Sequence, residues 1–189
     1  LQSRGLGDVY KRQVLLLVTI MLCGFTSMDI MTAPSISLEG KSLWIAQSLP
    51  VTPWQVLRAK LDMQLILNGI PVMLCMICTA VVCPIKIGQF IMMILQVLSF
   101  VFVMAVFGLF MGVIKPVLTW TNELTPIKQS ASVMVTMFGG FGYTALLFIG
   151  YMVLPGYTFG YICYIGIFIA ANVVAGLTLY IWLLSLIHI

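Results

Sequence analysis

The sequence predicts an all-α fold: a polytopic bundle of about five transmembrane helices, with an amphipathic cytoplasmic helix between spans one and two. Three observations carry this. Hydrophobic residues make up 62% of the 189-residue chain and charged residues 7%, with a mean hydropathy of +1.16, so there are too few charges to cover a soluble core. The apolar residues fall in runs of about 20 or more, the length a helix needs to cross a hydrocarbon layer about 30 Å thick. Within those runs they are continuous rather than alternating, which argues against a transmembrane barrel.

The expected spans are 14–32, 63–82, 87–114, 133–154 and 157–184. Spans two and three are joined by Cys83-Pro84-Ile85-Lys86, and spans four and five by Leu154-Pro155-Gly156-Tyr157. Proline cannot continue the helical hydrogen-bond ladder and glycine permits a turn, so each pair is expected to form a helical hairpin. Residues 1–13 and 185–189 read as non-native tails: the first resembles a translated sequencing-adapter tail and the second its counterpart. On that reading the chain is an internal fragment, and residues 14–184 form the membrane unit.

Orientation follows from the basic residues of the loops. Loops 33–62 and 115–132 fall on one side and carry Lys41, Arg58, Lys60, Lys115 and Lys128, whereas Lys86 alone lies between spans on the other. Both long loops are therefore expected in the cytoplasm, and the protein in the cell membrane. Without the two tails six basic and four acidic residues remain, a balance that points to no nucleic-acid partner.

The first loop divides at its prolines. Leu38, Leu43, Trp44, Ala46 and Leu49 have spacings of an interfacial helix, with Ser37 as its N-cap and Glu39 and Gly40 in the opening turn. Pro50 and Pro53 end it, and Thr52 caps a new helix that starts at Pro53 and carries Trp54, Leu57, Arg58 and Lys60 into span two. Asp62 is expected at the start of that span, where a carboxylate suits the positive end of the helix dipole. The second loop is short and turn-rich, with Trp120 as an interfacial anchor and Thr121 or Asn122 as a cap ahead of Lys128.

The spacing of Glu-Gly-Lys-Ser-Leu-Trp at 39–44, Ser-Leu-Pro-Val-Thr-Pro at 48–53 and Trp-Thr-Asn-Glu at 120–123, followed by Lys128-Gln129-Ser130, resembles a known family. That family is the permease subunits of ABC transporters, in particular the type-2 exporter-like group of Gram-positive bacteria. The resemblance covers roughly residues 36–140 and corresponds to part of the later half of a longer protein. Gln47 stands where members often have a base, and Gly112 where they often have an acid.

The resemblance implies a permease with no catalysis of its own, working with a cytoplasmic ABC ATPase that binds ATP. The lipid bilayer and the rest of the permease, or a second permease copy, would be its other partners. From their chemistry, Leu43 and Trp44 are expected as apolar anchors of an ATPase-docking segment ending at Leu49, with Glu39 and Lys41 at its rim. Trp120, Asn122, Glu123 and Lys128 mark the second loop.

Other chemistries have thin support. Gly40-Lys41-Ser42 spells the end of a phosphate-binding loop, but Ser35 stands where its first glycine belongs and no strand precedes it. Cys75 and Cys78 have thiolate-pair spacing inside span two, with no second pair and no histidine between residues 14 and 184, so neither a metal nor another cofactor is expected on this chain. No constellation of nucleophile, base or paired carboxylates suggests an enzyme. A secondary transporter is the alternative: it would need a broken helix and polar groups meeting near the midplane, for which Asn172 and the glycines at 139–142 are the sequence basis. Asp29, Asn68, Gln89 and Gln96 are the other polar exceptions within or near the spans, with Asp29 expected near the cytoplasmic end of span one. Gly108, Gly112, Gly139, Gly140 and Gly142 are expected where helices pack closely or bend.

Overall fold

The computed structural model describes residues 2–40, 48, 50–83, 85–118, 120, 127, 130–153 and 160–187. Among these the structure is helical, with no strand. The helices are α1 (Gln2–Met28), α2 (Thr32–Leu38), α3 (Pro53–Val82), α4 (Ile87–Ile114), α5 (Ala131–Val153) and α6 (Tyr161–Ile187). Among the described residues five segments are long and apolar enough to cross a membrane: Gln13–Leu38, Pro53–Val82, Ile87–Ile114, Ala131–Val153 and Tyr161–Leu186. The chain is a multi-pass membrane protein.

α4 is the hub. It packs against each of the other helices, most extensively against α6, and half of its most apolar stretch is buried. Met93, Val97, Phe100, Met104 and Leu109 are all buried along it. The outer helices instead turn a single stripe inward. On α3 the buried residues are Leu61, Gln64, Asn68, Val72 and Met76, spaced three or four apart as one helical face requires, while Ile66, Ile70, Leu74 and Ile77 on other faces are exposed. In a lipid environment such exposed apolar side chains meet hydrocarbon rather than water.

The start of α3 agrees with its sequence. Thr52 Oγ1 accepts from Gln55 N at 3.4 Å, and Gln55 Oε1 accepts from Thr52 N at 2.9 Å, closing a reciprocal cap ahead of Pro53. Span three also has the expected limits. The helix expected from Pro53 runs unbroken through span two, whereas span four begins at Ala131 and the helix of the fifth span, α6, begins at Tyr161. Asp62 consequently lies well inside α3, paired with Arg58 at 3.9 Å, rather than capping the start of the span.

Span one needs a larger correction. It is not one helix ending near residue 32; α1 stops at Met28, residues 29–31 are non-helical, and α2 resumes to Leu38. Ser37, expected to cap an interfacial helix, instead lies in the last turn of α2. Of that expected helix, residues 41–47 and 49 lie outside the described residues.

Candidate functional site

The break in span one has a local cause. Pro34 has no N–H, and its ring would clash with the carbonyl of residue 30 in a continuous helix. A helix restarting at Thr32 removes the conflict, because proline is tolerated in a first turn, where N–H groups lack helical partners.

Opening the helix frees main-chain groups that lipid cannot satisfy. α3 supplies the replacements. Gln64 Nε2 and Asn68 Nδ2 donate to Asp29 O at 2.6 and 2.9 Å, and Met31 N donates to Gln64 Oε1 at 2.7 Å. A carboxamide offers both donor and acceptor, as a peptide group does, and residues four apart face the same way along a helix. Gln64 and Asn68 are 2% and 5% exposed, so both carboxamides of this clasp are buried and neutral, while the bonds they make are partly buried. The Asp29 side chain is exposed, and only its main-chain oxygen enters the clasp.

The reconnected segment is seated on glycines of the neighbouring helices. A Cβ at Gly112 would lie 2.7 Å from Ala33 O, and one at Gly108 would strike the Thr32 hydroxyl and approach Ile30 Cγ2 to 3.1 Å. On α5, a Cβ at Gly140 would lie 2.5 Å from Ser27 Oγ at the end of α1. These glycines make the close approach possible. Gly139 faces the Phe107 ring, where a Cβ would come within 3.1 Å, and at Gly142 nothing among the described residues lies within 4 Å.

One turn beyond the notch, the two long loops join. Ser37 is fully buried; its Oγ accepts from Val117 N at 3.0 Å, and its carbonyl accepts from Trp120 Nε1 at 2.8 Å and Gly40 N at 3.2 Å. The absence of a side chain at Gly40 lets its backbone approach Leu118, whose Cα and O would lie 3.1 Å from a Cβ there. Lys60 of α3 bonds Glu39 Oε2 at 2.7 Å and Ser35 O at 3.3 Å. Its side chain is 13% exposed and that of Glu39 41%, so this pair is partly shielded and stronger than a fully solvated one. Trp120→Phe keeps an aromatic side chain, smaller than indole, and removes the indole donor. It is expected to lower stability by about 0.5–1.5 kcal/mol, the usual net worth of one hydrogen bond, measurable by detergent-solution unfolding; no change would mean that the bond does not hold the loops.

Two of the expected loop residues therefore fall in this junction: Glu39, held by Lys60, and Trp120, on Ser37. Lys41, Leu43, Trp44, Leu49, Asn122, Glu123 and Lys128 lie outside the described residues.

A second polar group lies deeper in the bundle. Gln96 Nε2 donates to Tyr143 OH at 2.8 Å, Asn172 Nδ2 to Ser99 Oγ at 3.1 Å, and Ser99 Oγ to Gln96 O at 2.9 Å. These bonds tie α4 to α5 and α6 through neutral groups. Gln96 is fully buried, and its Oε1 has no hydrogen-bond partner among the described residues. No group of three or more His, Cys, Asp or Glu residues that could hold a metal occurs among the described residues.

No family model, curated protein or solved structure matches this chain. The functional reading accordingly rests on this geometry and on the loop motifs. Sequence reasoning missed Gln64 and the pairing of Ser37 with the second loop. Gln64 and Asn68 together, four residues apart in an apolar run, were the available signal for the clasp; Pro34 was the signal for the break.

Proposed function

We propose that the chain is the membrane-spanning permease component of an ATP-driven ABC transporter, an exporter, coupled to a separate cytoplasmic ATPase. The single observation that carries this reading is the junction at Ser37, where Val117 and Trp120 of the second loop bond to the end of α2. Two loops whose motifs resemble those of one permease family thereby offer a common surface to a soluble partner. In this reading loops 33–62 and 115–132 are cytoplasmic, as their basic residues favour, and the bundle lies in the cell membrane.

The mechanism uses this chain as a lever, with ATP bound and hydrolysed on the partner. Leu43 and Trp44 seat in the ATPase surface, with Glu39 and Lys41 at the rim. Glu39 also holds Lys60, so displacement of the docked segment pulls on α3 as well as on α2. α2 carries that displacement to residues 29–31, where two carboxamides rather than a continuous helical ladder hold the backbone. Such a joint can bend by exchanging neutral hydrogen bonds, without burying a charge. The notch at Gly108 and Gly112 then transmits the movement of α2 to α4, the hub of the bundle.

Trp44→Ala is expected to reduce co-purification of the ATPase while leaving membrane insertion unchanged, since truncating a buried aromatic anchor commonly costs more than 1 kcal/mol of binding. Unchanged co-purification would remove Trp44 from the interface. A second reading, a secondary transporter, draws on the broken span and on Gln96 Oε1, which has no partner among the described residues, the type of features that line midplane sites in such proteins. Dependence on a proton or sodium gradient, together with indifference to Trp44→Ala, would favour it.

A further inference from the structure

We infer that the cleft between α3, α4 and α6 is a binding site for a phospholipid with a zwitterionic, primary-amine headgroup. α3 and α6 both pack on α4 but make little contact with each other, and the gap between them is a cleft of about 400 Å³. That volume falls within the range of about 300–1,000 Å³ typical of ligand sites. This assignment goes beyond the transport reading and does not depend on it.

The cleft combines a charged part and an apolar wall. Arg58 and Asp62 line its polar part, and Leu61, Leu65 and Phe102 line its apolar wall, with Leu177 of α6 opposite. At about 1.5 Å of rise per residue, Leu65 lies about 10 Å along α3 from Arg58, a separation suited to a headgroup and the first part of an acyl chain. Trp54 and Tyr180, also in the lining, meet edge to face with centroids 5.3 Å apart, and aromatic rings with a polar tip favour the headgroup layer. Leu177 is 52% exposed, so the wall formed by α6 is open to the surrounding hydrocarbon.

The charges select the headgroup. Arg58 Nε and Asp62 Oδ2 are 3.9 Å apart, and the two side chains are 69% and 56% exposed. A pair this long and open is weakly held and can be bridged by a ligand. Guanidinium suits a phosphate through charge-assisted hydrogen bonds, and the carboxylate suits an ammonium that still carries N–H donors. A net anionic headgroup would place its charge beside Asp62 without such compensation, and a quaternary ammonium has no N–H to donate.

The test uses the whole chain in vesicles containing brominated acyl chains, which quench nearby tryptophan. The difference between wild type and Trp54→Phe isolates the Trp54 signal. At equal mole fraction, brominated phosphatidylethanolamine is expected to quench Trp54 more than brominated phosphatidylglycerol or phosphatidylcholine. That excess should be lost in Asp62→Asn and in Arg58→Gln, with helix content by circular dichroism unchanged. Equal quenching by the three lipids would overturn the site. Stronger quenching by the glycerol lipid, equally strong quenching by the choline lipid, or an excess that survives both substitutions would overturn the headgroup assignment.

Discussion

Removing both carboxamides of the clasp, in Gln64→Leu/Asn68→Leu, is expected to produce the largest loss of stability of any change considered. Gln64 alone serves Met31 N and shares Asp29 O with Asn68. Gln64→Leu therefore takes the partner from one main-chain group, and the double variant from two, at about 1–3 kcal/mol each where lipid offers no replacement. Asn68→Leu by itself leaves the carbonyl with Gln64 and should cost less than either. Titrating the folded protein in mild detergent with a denaturing detergent and following helicity gives the three values. A double variant as stable as wild type would show that the break is held by something other than these side chains.

Gly112→Leu is expected to come next. Its Cβ would lie 2.7 Å from Ala33 O, and the obstacle is main chain, which cannot rotate aside as a flexible side-chain tip can. α2 must then lift from α4, and overpacking of this kind typically costs about 1–3 kcal/mol. Because Ser37 lies at the far end of the same short helix, the displacement should also loosen the bonds from Val117 and Trp120. Gly142→Ala is the control: among the described residues nothing lies within 4 Å of a Cβ there, and alanine is favoured over glycine inside a helix by about 0.5–1 kcal/mol. Thermal unfolding in detergent should rank Gly112→Leu well below wild type and Gly142→Ala at or above it. The reverse order would remove the notch from the account.

The helices themselves were legible because their causes are local. Apolar length marks the spans; Lys86 and Lys115 flank Ile87–Ile114; Thr52, Pro53 and Gln55 supply a complete helix start. The close-packing glycines were legible in part: Gly108, Gly112 and Gly140 meet neighbouring elements, but composition alone did not separate them from Gly142. The break at 29–31 was missed because, Asp29 apart, it falls in an apolar run with no glycine or proline at the break itself. Its cause, Pro34, acts four residues back through a carbonyl, and its support, Gln64 and Asn68, comes from another helix. The contact of Trp120 with Ser37 spans 83 positions, and no periodicity within either loop encodes so distant a pairing.

The coupling proposal is tested most directly by purifying the tagged protein from its native membranes in mild detergent and assaying the complex for ATP hydrolysis, with its subunits identified by mass spectrometry. The account predicts a bound subunit carrying a phosphate-binding loop, hydrolysis that travels with it, and depletion of both when Trp44 is replaced by Ala. A protein that purifies without such a subunit, and whose transport follows an ion gradient with or without ATP, would contradict it.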